Sequence, residues 1–152
     1  MSIWHPAFDR TDEALLERLN QLAENTVDSH LGIEFTEVGE DFIRGTVPVD
    51  SRTRQPFGLL HGGVSVVLAE SLGSVAGNLC VDPATSGCVG LDINANHLRA
   101  ARAGLITGTA KPVHIGSSTQ VWGIRLLDER DKLTCVARLT LAVVPRTVNS
   151  II

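Results

Sequence analysis

The connections in the second half of the chain restrict the fold more than any other feature. After the turn-like VDPATSG come four β-rich runs, CVGLDINANHLR, GLITGTAKPVHI, STQVWGIRLL and LTCVARLTLAVV, separated by AARA, GS and DERDK. Parallel neighbours need a crossover of about a dozen residues or more, so these short links require antiparallel strands. Upstream, GIEFTEVG and DFIRGTVPV alternate in polarity and meet at Gly39-Glu40-Asp41, the pattern of a hairpin. Between the two groups lies a very apolar segment over about 62–79, which predicts a central helix. A second helix is expected over about 11–25, where Leu15, Leu16, Leu19 and Leu22 recur at helical spacing. Thr11 is its candidate N-cap, with Asp12 and Glu13 in its first turn. The expected class is α+β: a largely antiparallel sheet of about 5–6 strands carrying a long helix on one face. The other face is left to water or to another subunit. The 152 residues suit a single domain, 1–152, with a loosely ordered tail over about 145–152.

The central segment, QPFGLLHGGVSVVLAES at its start, holds one carboxylate, Glu70. At about 100° per residue, Val64, Leu68, Leu72, Val75 and Leu79 form one stripe, which should pack on the sheet. Glu70 falls on the far side, with Ser74 one turn beyond it and Gly63, Gly73 and Gly77 near that side. Each helical glycine costs about 1 kcal/mol against alanine, which makes sense if a ligand or a subunit approaches the backbone there. A helix glutamate is ordinarily just solvated. Here its neighbours Ser65, Val66, Val67, Ala69 and Ser71 carry no other charge, unlike an ordinary wet face.

Just before the helix stand His61, Gly62 and Gly63, with Gln55 six residues ahead of the histidine. The first amides of a helix lack intrahelical acceptors, so the Gly62 N–H can donate to a developing oxyanion. The Gln55 amide can add a second hydrogen bond. Read blandly, His61 is a capping residue and Gln55 a solvated loop residue. Taken with Glu70, the group fits acyl transfer to water, with the carboxylate attacking a carbonyl or activating a water. No Gly-x-Ser-x-Gly elbow is present. A carboxylate working alone suits a good leaving group such as a thiolate.

Charge and cysteine usage exclude other classes. The net charge of −4, without a basic run, argues against nucleic acid. No uninterrupted apolar run is long enough to span a membrane. The first residues are acidic and amphipathic, unlike a signal peptide. Cys80, Cys88 and Cys135 are odd in number and lack CxxC spacing, which argues against a disulfide framework or a zinc site and for reduced thiols in a cytoplasmic protein. Cys135, in an apolar strand, is a core residue by default.

QPFGLLHGGVSVVLAESLGSVAG, followed by VGLDINANHLR and KPVHIGSSTQVW, closely resembles the hotdog-fold acyl-CoA thioesterases over about 31–144. The nearest groups are the 4-hydroxybenzoyl-CoA thioesterases with a helix glutamate, the phenylacetate-pathway enzymes and the 1,4-dihydroxy-2-naphthoyl-CoA hydrolases. The spacing of Gln, HGG and Glu is the specific element. The resemblance implies a hotdog fold, with the long helix wrapped by the sheet. It also implies edge-to-edge homodimers that associate into homotetramers, active sites between subunits, and no cofactor or metal. Glu70 is then nucleophile or general base, and the Gly62 amide polarises the thioester carbonyl. Gln55 holds the carbonyl or the water, His61 orients the site, and Ser74 helps to bind the water. Phe57, Leu59, Leu60 and Val67 are candidates for the acyl pocket, with Leu68 better placed in the core. His97 and Arg99 are candidates for the pantetheine arm, and Ser118 and Thr119 for a CoA phosphate, with Arg99, Arg102 and Lys111 as its candidate cations. The absence of tyrosine departs from relatives that use one on a phenolic acyl group.

The expected activity is hydrolysis of an aryl- or medium-chain acyl-CoA to free acid and CoA. Three alternatives stay open at this level: a proofreading thioesterase acting on acyl or aryl carrier protein, a non-hydrolytic acyl-thioester binder, and a hotdog dehydratase built on His61 and Glu70.

Overall fold

The structure is a computed structural model and describes residues 2–11 and 13–146. Helix α1 spans Glu13–Leu22 and α2 Val27–Leu31. The hairpin strands β1 (Glu34–Val38) and β2 (Ile43–Pro48) follow, then the central helix α3 (Gly62–Leu79). Strands β3 (Ser86–His97), β4 (Leu105–Ile115), β5 (Thr119–Leu127) and β6 (Leu133–Pro145) complete the chain. The six strands form one sheet in the order β1-β2-β4-β5-β6-β3. Every neighbouring pair is antiparallel, as the short connections require.

The sheet curls around α3, which touches β2, β3, β4, β5 and β6. Leu68 and Leu72 are fully buried against it, and Val64 and Leu79 nearly so, while Val75 is half-buried. The glycines behave differently from expectation. Gly73 and Gly77 lie on the packed side: a Cβ on Gly73 would stand 2.6 Å from Leu139 Cδ2, and one on Gly77 2.4 Å from Leu141 Cδ1. The close approach they permit is that of the chain's own β6. A curled sheet covers a wider arc of helix than a flat one, so Ala69, Gly73, Ala76 and Gly77 are buried beside the leucine stripe.

The N-terminal helix is shorter than 11–25, and Leu22, expected on its buried stripe, is 61% exposed. The chain breaks from helix after Leu22 and passes through Asn25 at positive φ before starting α2. Thr26 caps α2 by accepting from the Asp28 N–H, and Gly32 ends it in the left-handed conformation. Asp12, expected in the first turn of α1, lies outside the described residues, as does the tail beyond residue 146. Its first two members are held: Pro145 ends β6, and the Arg146 N–H donates to Thr85 O at 2.9 Å.

Ahead of α1, Trp4 is buried, stacks on Trp122 with centroids 6.3 Å apart, and donates from Nε1 to Gly39 O. The His5 N–H donates to Leu79 O at 2.8 Å, so this segment closes the C-terminal end of α3. Buried Gln120 finishes the same end, donating to Gly77 O and accepting from Trp122 Nε1.

Candidate active site

The loop into α3 turns tightly between Arg54 and Leu60, which form an isolated antiparallel bridge. Within it the Gln55 N–H donates to Leu59 O, and the Gly58 N–H donates to Gln55 O. Gly58 has φ +80°, a conformation that favours glycine. The Gln55 side chain accepts from the Phe57 N–H through Oε1. Its Nε2 donates to no acceptor among the described residues. Two further bonds fix the end of the loop, His61 N–H to Thr53 O and Leu60 N–H to Ala101 O, each 2.8 Å.

His61 is the N-cap of α3, in extended conformation, and its Nδ1 accepts from the Gly63 N–H at 2.9 Å. The Val64 and Ser65 N–H groups donate to His61 O. That leaves the Gly62 N–H as the helix-terminal amide with no acceptor among the described residues. The His97 ring lies alongside: a Cβ on Gly62 would stand 3.0 Å from His97 Nε2.

Gln55, Leu59, Leu60, Gly62, His97 and Arg99 together line a cleft of about 380 Å³. Ser65, Leu98, Ala100, Ala101 and Thr134 complete its wall. The last four join because the chain leaving β3 meets the start of β6, where the Leu98 and Arg99 N–H groups both donate to Thr134 O. The sequence flags none of these four, since only this tertiary meeting brings them to the cleft. The carboxyl of Asp128 is held below its ordinary range chiefly by backbone hydrogen bonds from Lys132 and Arg130, and in smaller part by the charge of Arg99.

Glu70 is not in this cleft. It lies eight residues along α3, about 12 Å down the axis, with its carboxylate exposed and facing Gly90 of β3. A Cβ on Gly90 would stand 3.1 Å from Glu70 Oε1, and the sheet carries a bulge between Gly90 and Asp92. Val67 and Ser74 flank Glu70 on the helix and are half-buried, while Phe57 projects from the loop, 85% exposed. Ser118 ends the β4–β5 connection and Thr119 opens β5, at the opposite end of the sheet from His97 and Arg99. A single chain therefore joins Gln55, Leu60, Gly62, His97 and Arg99, and sets apart Glu70 with Val67 and Ser74, and Ser118 with Thr119. Lys111, a candidate cation, is 3.4 Å from Asp41 of the β1–β2 hairpin.

The model of the thioesterase superfamily matches residues 57–135, just over half of the chain. The 1,4-dihydroxy-2-naphthoyl-CoA hydrolase of Escherichia coli is 55% identical over 128 residues, covering 84% of this chain and 93% of that protein. The proofreading thioesterase EntH of Cronobacter turicensis is 47% identical over 128 residues, with the same coverage of each. The crystal structure of a variant of the thioesterase PA1618 of Pseudomonas aeruginosa superposes with a TM-score of 0.89 at 50% identity, covering 95% of this chain and all of the other. The overall fold, a helix wrapped by a six-stranded antiparallel sheet, is thus shared with thioesterases of known structure, and this chain belongs to the thioesterase superfamily as a hotdog-fold thioester hydrolase.

Proposed function

We propose that the protein is a cytoplasmic acyl-CoA thioesterase that hydrolyses an aryl- or medium-chain acyl-CoA, with an aromatic acyl group such as 1,4-dihydroxy-2-naphthoyl as the leading candidate. The observation that carries this reading is that Gln55 and Gly62 line one cleft, and that neither the Gly62 N–H nor Gln55 Nε2 has an acceptor among the described residues. Two donors facing an open cleft fit a carbonyl oxygen that gains negative charge during the reaction. Glu70 then supplies the acid. As nucleophile it forms a mixed anhydride and releases CoA thiolate, and water cleaves the anhydride. As general base it takes a proton from water as the water attacks. His61 holds the start of the helix, and Ser74, one turn from Glu70, binds the attacking water. Leu60, Val67 and Phe57 contact the acyl group. His97 and Arg99 contact the pantetheine arm, and Ser118 and Thr119 a CoA phosphate. No cofactor or metal has a role in this chemistry.

The separation of Glu70 from the Gly62 cleft supports a site shared between two protomers. Among the described residues strand β3 pairs with β6 alone and is a long edge of the sheet, with Val89 and Leu91 exposed on it. Such an edge is a template for a second copy. Pairing there brings the Glu70 of one protomer, which faces β3, toward the cleft of the other. Dimers of this kind associate into the expected homotetramer.

Thiol release measured on aryl-CoA, fatty acyl-CoA and carrier-protein thioesters tests the reading, with Gln55→Ala and Glu70→Ala prepared separately and then mixed. Each variant alone should lose about 10²–10⁴ in rate. Co-refolded subunits should regain about a quarter of the wild-type rate, since half of the sites in mixed dimers are intact. No recovery overturns the shared site, and full turnover by Glu70→Ala overturns the role of the acid. A second reading, proofreading of misacylated carrier proteins, rests on the relative named EntH and is favoured if the carrier-protein thioesters are the better substrates.

A further inference from the structure

Beside Glu70 the structure holds a polar pair that the mechanism above does not use. Ser71 Oγ donates to Asp28 Oδ1 at 2.6 Å, linking α3 to the short helix α2. Both side chains are half-buried. On α3, Ser71 follows Glu70 directly and stands one turn from both Val67 and Ser74, at i−4 and i+3. It is therefore a neighbour of the residues assigned to the acyl group and the attacking water.

The hydrogen bonds around Asp28 define what the pair can still do. The Asp28 backbone is committed, its N–H to Thr26 Oγ1 and its carbonyl to the Gly32 and Ile33 N–H groups. The carboxylate takes the Ser71 hydrogen bond on Oδ1, and Oδ2 has no donor among the described residues. With its hydrogen directed at Asp28, Ser71 Oγ has only lone pairs to offer. Every remaining polar valence of the pair is thus an acceptor. Its complement is a hydrogen-bond donor.

We propose that Asp28 and Ser71 form a specificity-determining acceptor site, which makes the enzyme prefer thioesters whose acyl group carries a hydroxyl over the same thioesters without one. The proposal rests on the reading of Glu70 as the catalytic acid, because that reading brings the acyl group to this flank of α3. Asp28 acts partly through Ser71, as a positioning residue that holds the hydroxyl in its accepting orientation. A hydroxylated acyl group donates to the pair, whereas an unsubstituted one leaves the carboxylate partly desolvated and unpaired. A site built in this way discriminates through the unpaired group, more weakly at half-burial than in a closed pocket.

The test measures kcat/KM for benzoyl-CoA and its monohydroxylated isomers, with the wild type, Asp28→Asn and Ser71→Ala. The asparagine side chain keeps the shape and can still accept from Ser71, but it replaces the free acceptor with an NH₂ donor. The wild type should favour at least one hydroxylated isomer by about tenfold or more. Asp28→Asn should erase most of that preference, lowering kcat/KM on the hydroxylated isomer and, because no carboxylate is left unpaired, raising it on benzoyl-CoA. Ser71→Ala should lower the preference in the same sense. Equal losses on hydroxylated and plain substrates would assign the pair a purely structural role and overturn the proposal, as would a wild type with no preference. Turnover of fatty acyl thioesters with none of any aryl thioester overturns the aromatic reading and the inference together. Turnover of aryl thioesters without hydroxyl selectivity overturns the inference alone.

Discussion

The two ends of α3 are built to opposite specifications. At the C-terminal end the carbonyls are satisfied: Gly77 O accepts from Gln120 and from the Cys80 N–H, Asn78 O from the Val81 N–H, and Leu79 O from the His5 N–H. Trp4 stacks over that end, and buried Trp122 lies beneath it. At the N-terminal end the Gly62 N–H is left without an acceptor among the described residues and lines an open cleft. Unpaired backbone groups destabilise a protein where water is excluded, so leaving one at a cleft is a concession to function. The C-terminal end carries the stability and the N-terminal end the chemistry. A helix dipole with its positive end at the cleft adds to the same effect.

This contrast is broken most directly at Gly62. As the first residue of the helix it occupies the position where proline is best tolerated, and His61, at φ −65° and ψ 130°, already has the conformation that precedes a proline. Gly62→Pro therefore deletes the unpaired N–H with little harm to the helix. The added ring meets His97, so Gly62→Ala serves as the control, keeping the N–H while adding a Cβ. Relative to Gly62→Ala, the proline variant should lose about 10²–10³ in kcat, with the melting temperature of the two alike. Equal activity of the two variants would remove the amide from the mechanism.

The opposite experiment is Trp4→Ala, at the closed end. It removes a buried indole, its stack on Trp122 and its bond to Gly39 O, and should destabilise by about 3 kcal/mol. Denaturant unfolding measures the loss. The kcat/KM of the remaining folded protein should stay near the wild-type value, because nothing at that end lines the Gly62 cleft. A large fall in kcat/KM without a fall in stability would show that the ends are not separate.

Much of this division is legible in the order and spacing of residues alone. Short connections dictate the antiparallel sheet, and the spacing of Val64, Leu68, Leu72 and Leu79 marks the packed stripe. The Gln-HGG-Glu spacing picks out Gln55, Gly62 and Glu70. What the sequence hides follows from tertiary geometry. An angular count assumes a flat neighbour, so it assigns Gly73 and Gly77 to the open side, whereas the curled sheet brings Leu139 and Leu141 against them. Helix α2 has five residues, too few for a periodic signal, and its only cues are the local caps at Thr26 and Gly32. The distance between Glu70 and the cleft is implicit in eight residues of helical rise. It becomes informative only once Leu98, Ala101 and Thr134 show where the cleft lies.

The cysteines at the closed end give the finest test of how closed it is. Cys80 terminates α3 and Cys88 accompanies it on β3, with its N–H donating to Asn78 Oδ1 and its carbonyl accepting from Asn78 Nδ2. Burial pushes the Cys80 thiol up to about 12, with the nearby Cys88 adding to the shift, and pushes Cys88 up to about 11. Burial raises Cys135 as well, but that thiol lies at the other end, paired with His97 beside the cleft. Only thiolates react with disulfide reagents, so native Cys80 should label about a thousandfold more slowly than an exposed thiol at pH 8. The same shifts fix the sign of a pH effect. A thiol with a raised folded pKa contributes stability that is whole below its unfolded value, near 9, and is lost as pH rises toward 11 and 12. Cys80→Ser should therefore flatten the alkaline limb of the stability profile between about pH 9 and 12. Fast labelling of Cys80 at pH 8 with the fold intact would mean that the C-terminal end of α3 opens to solvent, and the contrast between the two ends would fail there.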